Sequence, residues 1–154
     1  MSALDQVFQY RTLVGKCETG QGLDFDEIDA LIAIEAAFAA GPDDAHPDGR
    51  RFRRERTSMP GLVRGGDLND MVTISELAPG GVVLAGAPYV DLGMAIEIVV
   101  DQPLVSRSYR FKGIVQWTRD DGDDYFLGVA LVGTPVLIHY GAIGHDEVVE
   151  RIAA

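Results

Sequence analysis

Hydrophobic residues near the start of the chain recur at the spacing of an α-helix, in two sets. Gly20 and Gly22 separate the sets, and Asp24 with Glu27 three positions later forms a capping-box sequence. We therefore predict a hairpin of two α-helices over residues 1–40. Its apolar positions are Leu4, Val7, Phe8, Leu13 and Val14 in the first helix, and Phe25, Ile28, Leu31, Ile32 and Phe38 in the second.

From about residue 57 onward, the pattern changes to the two-residue alternation of β-strands. Turn-forming segments separate the later runs, most clearly TRDDGDD at 118–124. Several short strands at this spacing are typical of a closed or nearly closed β-barrel. Trp117 falls in phase with the apolar positions of its strand and is expected in the core. The predicted strands cover residues 70–77, 80–86, 93–100, 109–117 and 125–132.

A linker without periodicity joins the helical and strand regions. Residues 39–49, AAGPDDAHPDG, are rich in proline, glycine and aspartate. The predicted organisation is a helical hairpin at 1–40, a linker at 41–49, a barrel at 50–133 and a C-terminal tail at 134–154. The last part of this tail, residues 144–154, is compatible with a short closing helix.

The chain is acidic, but its basic residues are concentrated in one short segment. Its 24 acidic and 13 basic residues give a net charge of −11, yet five arginines lie within GRRFRRERT at 49–57. General nucleic-acid binding is not expected, because it requires basic charge spread over a face of the protein. A compact arginine segment suits a small anion instead. The alternative is solvated charge that pairs with the aspartates of the linker.

The residue types used by most enzymes do not occur in their usual arrangements. His46, His139 and His145 lack the spacing of a zinc site, and Cys17, the single cysteine, fits a reducing cytosol. There is no nucleophile elbow and no Walker-type phosphate loop. No apolar run approaches the roughly 20 residues of a membrane span, and the N-terminus lacks a secretory pattern. We therefore expect a cytoplasmic protein that is not an enzyme, without metal, cofactor or membrane contact.

Two short motifs and a closing strand pair stand out between residues 50 and 133. Arg50 and Arg54 form an Arg-x-x-x-Arg pattern, the arginine motif, with the aromatic Phe52 between them. Ser75 follows within MVTISELAPGGVVL at 71–84, whose residues 73–81 we call the second motif. Together with the closing segments FKGIVQW at 111–117 and YFLGVALVG at 125–133, these motifs resemble the PilZ domain family. The resemblance covers residues 50–133, and the order and spacing of its parts make it specific.

This resemblance implies a fold and a ligand. The fold would be mainly β, a six-stranded antiparallel barrel that carries the N-terminal helical hairpin. The ligand would be the bacterial second messenger cyclic di-GMP, sensed in signalling that controls motility or surface behaviour. Arginine suits this ligand because it forms paired hydrogen bonds with phosphate or with the O6/N7 edge of guanine. The implied ligand-binding residues are Arg50, Arg51, Arg54, Thr73, Ser75, Gly80 and Gly81.

The second motif departs from the family pattern at two positions. Thr73 stands where the family has Asp or Asn, and Ala78 stands where it has Gly. The glycines Gly80 and Gly81 follow as if two residues were inserted. A threonine hydroxyl is a poor replacement for a carboxylate that accepts two guanine N–H groups. The alternative function is therefore a PilZ-like adaptor that docks a motility or polarity protein without binding cyclic di-GMP.

The apolar face of the second helix predicts a packing partner. Helices of this length are marginal in isolation, and so many large apolar side chains are costly to leave in water. The face can bury against the barrel of the same chain, a second copy or a partner protein. We expect a homodimer or a partner surface that the hairpin builds in part.

Overall fold

A computed structural model describes residues 2–39, 52–140 and 148–152 of the 154-residue chain. Two helices come first, and seven strands follow. The linker predicted at 41–49 lies outside the described residues. The helices are α1 (Ala3–Glu18) and α2 (Phe25–Ala37), and the strands are β1 (Glu55–Gly65), β2 (Leu68–Ala78), β3 (Gly81–Ala87), β4 (Ala95–Gln102), β5 (Arg107–Asp121), β6 (Asp124–Tyr140) and β7 (Val148–Ile152).

The first six strands form a closed antiparallel barrel. They are ordered β3-β2-β1-β4-β5-β6, and β6 pairs back with β3 from Gly81↔Ala130 to Ala87↔Tyr125. Alternate residues of the strands fill the interior, as the period of two requires. The mainly β fold, with its six-stranded barrel and two N-terminal helices, is thereby confirmed. Its largest fully buried strand residues are Val63, Ile74, Leu77, Leu84, Ile98, Tyr109, Val115 and Leu127.

The C-terminal region contains a strand where the sequence suggested a short helix. Strand β6 runs without a break past residue 133, and β7 pairs antiparallel with its last residues, 137–140. The β-branched Val148, Val149 and Ile152 favour an extended backbone, and the edge of β6 beyond the barrel closure supplies hydrogen-bonding partners. The suggestion of a helix is therefore wrong for residues 148–152.

Helix α1 packs against the barrel of its own chain. Leu4, Val7 and Phe8 belong to the same buried cluster as the strand residues. The Phe8 ring makes an edge contact with the Tyr109 ring, their centroids 5.3 Å apart. Gly15 lets the helix approach β6, because a Cβ atom there would lie 2.1 Å from the hydroxyl oxygen of Thr134. Helix α1 therefore buries its apolar face against the barrel of the same chain.

Helix α2 buries only part of the apolar face that its sequence predicts. Its capping box is present, since the Asp24 carboxylate accepts from the Glu27 N–H and the Glu27 carboxylate accepts from the Asp24 N–H. Glu27 also forms an ion pair with Lys16 of α1. Ile34 and Phe38 are buried, at 3% and 1% exposure. Of the remaining apolar residues, Leu31 is half-buried, whereas Phe25, Ile28 and Ile32 are exposed.

A polar contact fastens the start of α1 to the barrel. The buried Tyr109 hydroxyl donates a hydrogen bond to the Asp5 carboxylate, and the Arg107 guanidinium donates to the Tyr109 oxygen at 3.4 Å. Burial raises the pKa of Asp5, but hydrogen bonds from Tyr109 and Ser2, with the charge of Arg107, outweigh it. The pKa of Asp5 therefore lies below its usual value of 3.8.

Tyr109→Phe is expected to lower the free energy of unfolding by about 1.5–3 kcal/mol near neutral pH, because the hydroxyl's hydrogen bonds with the charged Asp5 and Arg107 side chains are lost. A depressed pKa in the folded state stabilises the fold above the usual value of 3.8, and this stabilisation is lost as the pH falls through the folded pKa. Urea unfolding of both proteins at neutral and acidic pH measures the effect. The difference in free energy of unfolding between wild type and variant is expected to shrink in acid. A difference that stays constant with pH would show that the ionised Asp5 carboxylate is not its cause.

Candidate functional site

A cleft of about 270 Å³ lies beside the turn between β2 and β3. Four separate stretches of chain meet there, which only the closed barrel brings together. They are Phe52 and Arg54 before β1, Ala78 and residues 80–82 at the turn, Gln116 and Trp117 of β5, and residues 128–130 of β6.

A β-bulge in β5 places Trp117 at the cleft. Val115 pairs with Val129 and Trp117 pairs with Gly128, so Gln116 is the additional residue on β5. The indole lies directly over Gly128, where an added Cβ atom would come within 2.0 Å of its Nε1. Trp117 is therefore a half-buried wall of the cleft, and the expectation that it belongs to the core is wrong.

At the turn between β2 and β3, the glycines Gly80 and Gly81 line the cleft with backbone groups rather than side chains. A Cβ atom on Gly81 would lie 2.8 Å from the carbonyl oxygen of Val129, so glycine is what allows β3 to approach β6 at this point. Gly80 is exposed, with no atom within 4 Å of its Cβ position, and its carbonyl accepts from the Leu131 N–H at 3.1 Å. A ligand can thus approach the backbone closely at Gly80.

The segment before β1 is held against the helices, and this positions Arg54. The Phe52 ring meets the Tyr10 ring of α1 edge-on, with centroids 5.4 Å apart. The Arg53 guanidinium donates to the carbonyl of Ala37 at 2.8 Å and lies over the Phe38 ring. Arg54, the next residue, lines the cleft. The helical hairpin therefore contributes to the site by anchoring residues 52 and 53.

The cleft carries positive charge in an otherwise acidic chain. Among the described residues that line it, Arg54 is the one ionisable side chain. The other contributions are the aromatic rings of Phe52 and Trp117, the carboxamide of Gln116 and backbone amides. These groups can bind a flat anion, because the guanidinium pairs with negative charge while the rings offer faces for stacking.

Three of the seven site residues suggested by the sequence meet at the cleft, namely Arg54, Gly80 and Gly81. Arg50 and Arg51 lie outside the described residues. Arg54 of the arginine motif and the end of the second motif therefore share one site in the part of the chain that the structure describes.

Two residues of the second motif lie elsewhere on β2. Thr73 is exposed and pairs with Ala85, and it does not line the cleft. Ser75 sits at a register shift between β2 and β3, where its hydroxyl donates to the carbonyl of Val83 at 3.2 Å. Its hydrogen bond thus stabilises the sheet.

Gln116 is a cleft residue that the sequence did not indicate. A polar residue in an alternating strand is ordinarily read as solvent-facing, and Gln116 is indeed exposed. Its place at the cleft depends on the register shift between β5 and β6. Such a shift arises from pairing of residues distant in sequence, so local patterns carry no signal of it.

No protein-family model matches the chain, and neither does any curated protein sequence. The described residues contain no cluster of His, Cys, Asp or Glu suited to a metal ion. None of the described helices has the length and apolar character needed to cross a membrane.

Proposed function

We propose that this chain is a PilZ-like signalling protein that binds cyclic di-GMP at the cleft beside the β2–β3 turn. The observation that carries the proposal is the meeting of Arg54 with Gly80 and Gly81, which β1 and β2 separate in the sequence. In the family that the sequence resembles, these motifs supply the ligand site. The bound state would act through protein contacts in motility or surface behaviour.

The lining groups suit a guanine nucleotide. Arg54 can form paired hydrogen bonds with a phosphate or with the O6/N7 edge of guanine. Trp117 provides an aromatic face for a base, an interaction worth about 1–3 kcal/mol in nucleic-acid complexes. Gln116 offers both a donor and an acceptor. A ligand that is flat, anionic and rich in hydrogen-bonding edges uses all three groups.

The size of the cleft favours binding of one half of the ligand within it. Its volume of about 270 Å³ is just below the range of about 300–1,000 Å³ that is usual for ligand pockets. One guanine with its phosphate would occupy the cleft, and the second half of the ligand would lie outside it. Arg50 and Arg51 directly precede Phe52 in the sequence and would supply cations for the second phosphate.

Calorimetric titration with cyclic di-GMP tests the proposal. We expect a dissociation constant in the micromolar range, which corresponds to a binding free energy of about −8 kcal/mol. Arg54→Ala is expected to weaken binding by about 1–3 kcal/mol, because a charged pair of hydrogen bonds is lost. Arg56→Ala is the matched control, since Arg56 is exposed and lies outside the cleft. Cyclic di-AMP, which has the same phosphates without the guanine O6, is expected to bind more weakly.

A second function is favoured by the position of the second motif. Ser75 is engaged within the sheet, and Thr73 lies outside the cleft lining, so two implied ligand contacts are not in place. A PilZ-like adaptor would use the same barrel to dock a protein and would need no nucleotide. Absence of binding heat at millimolar cyclic di-GMP would exclude the receptor and favour this adaptor.

A further inference from the structure

Helix α2 exposes a row of large apolar side chains on its outer side. Phe25, Ile28 and Ile32 are 85%, 38% and 59% exposed, and we call them the α2 stripe. Their spacing of three and then four residues is that of the a and d positions of a heptad, the seam by which one helix packs along another. Ile34 on the opposite side of α2 and Phe38 at its C-cap are buried. The stripe is thus not needed to hold α2 against the rest of the chain.

The helix that carries the stripe is already formed and fixed. Its capping box satisfies backbone donors at the N-terminus, and the ion pair between Lys16 and Glu27 ties it to α1. At the other end, Arg53 donates to the carbonyl of Ala37. A partner that covers the stripe would therefore bear little of the ordering cost that usually opposes association.

The charges around the stripe select the kind of partner. Counting Phe25 as an a position, Asp29 occupies a flanking e position, while Asp24 at the N-cap and Asp26 in the first turn are also exposed. From residue 24 to residue 37 there is no basic side chain. A two-fold contact between copies would bring like charges together, because each copy presents the same surface. Lysine or arginine beside an apolar seam is complementary instead.

We propose that the α2 stripe docks a basic amphipathic helix of a partner protein. The apolar seam of that helix would cover Phe25, Ile28 and Ile32, and its flanking Lys or Arg residues would meet Asp24 and Asp29. This inference does not depend on nucleotide binding, because none of the stripe residues lines the cleft. It also replaces the expected homodimer with a partner of opposite charge.

A pair of synthetic three-heptad peptides provides the probe. Both have Leu at a and d; one has Lys at e and g, and the control has Glu there, so that like charges keep each peptide from pairing with itself. Fluorescence anisotropy measures their binding to the full chain. The Lys peptide is expected to bind at least about tenfold more tightly than the Glu peptide.

Matched variants separate docking at the stripe from general attraction to an acidic protein. The double variant Phe25→Ser/Ile32→Ser is expected to weaken binding of the Lys peptide by about tenfold or more. Leu104→Ser, at an exposed apolar residue outside the stripe, is expected to leave binding of the Lys peptide unchanged. Asp29→Lys should shift preference toward the Glu peptide. Asp67→Lys makes the same charge change in the exposed turn after β1 and should shift it much less.

Three results would overturn the proposal. One is the absence of Lys-peptide binding, and another is equal binding by the wild type and the stripe double variant. The third is a wild-type dimer in light scattering that the double variant dissociates, since a second copy would then cover the stripe. Circular dichroism and cyclic di-GMP titration of the double variant show whether the fold and the cleft are intact, so failure of this proposal is distinguishable from failure of the receptor.

Discussion

Removal of residues 1–48 is expected to abolish the cooperative unfolding transition of the barrel. Leu4, Val7, Phe8 and Tyr10 are buried in the same cluster as the strand residues. Each such side chain contributes about 1.5–3 kcal/mol by burial, so their sum is comparable with the net stability of about 5–15 kcal/mol of a whole domain. The truncated chain would also expose the barrel residues that α1 covers. Urea unfolding followed by circular dichroism compares it with the full chain.

A change in the hairpin that leaves its buried side intact serves as the control. The stripe variant Phe25→Ser/Ile32→Ser removes exposed side chains, and we expect its stability to stay within about 0.5 kcal/mol per substitution. A truncated chain with the full-length unfolding midpoint would contradict the shared core. It would show that the barrel folds without the hairpin.

Gly128→Val is expected to destabilise the protein by roughly 3 kcal/mol and to disrupt the cleft. The Trp117 indole occupies the space of the new side chain, since even a Cβ atom at residue 128 would lie 2.0 Å from the ring. Strand β6 is paired with β3 and β5 here, so the backbone cannot move aside easily. The ring must leave its place. Urea unfolding measures the loss, and a red shift of tryptophan emission reports the displaced ring.

Gly80→Ala is the matched control at the rim of the same cleft. No atom lies within 4 Å of the added Cβ, and the backbone of Gly80 does not adopt a positive φ. Its stability is expected to stay within about 0.5 kcal/mol of wild type. Similar losses in both variants would show that the contact between Trp117 and Gly128 is not the cause.

Features set by local interactions could be predicted from the sequence. The capping box of Asp24 and Glu27 marks the start of α2, and alternation marks β4 and β5, because these signals depend on neighbouring residues. Strand β1 is less evident, since Pro60 and Gly61 have poor strand propensity. Its extended form depends on pairing with both β2 and β4. Pairing between distant segments of this kind leaves little trace in the local pattern.

The same limit applies to the candidate site and to the hairpin. Motif spacing suggested Arg54, Gly80 and Gly81, which meet at the cleft. Trp117 and Gln116 could not be placed, because a register shift between β5 and β6 determines their positions. Helical periodicity identifies the apolar positions of α2, but it cannot show which of them are buried.

Intrinsic fluorescence during titration with cyclic di-GMP tests the central claim most directly, because Trp117 is the one tryptophan of the chain and lines the cleft. We predict a saturable change in its emission with a midpoint in the micromolar range, which corresponds to a binding free energy of about −8 kcal/mol. The midpoint should move to higher concentration in Arg54→Ala and stay in place in Arg56→Ala. Emission that remains unchanged up to millimolar cyclic di-GMP, in a protein with a native unfolding transition, would contradict binding at this cleft.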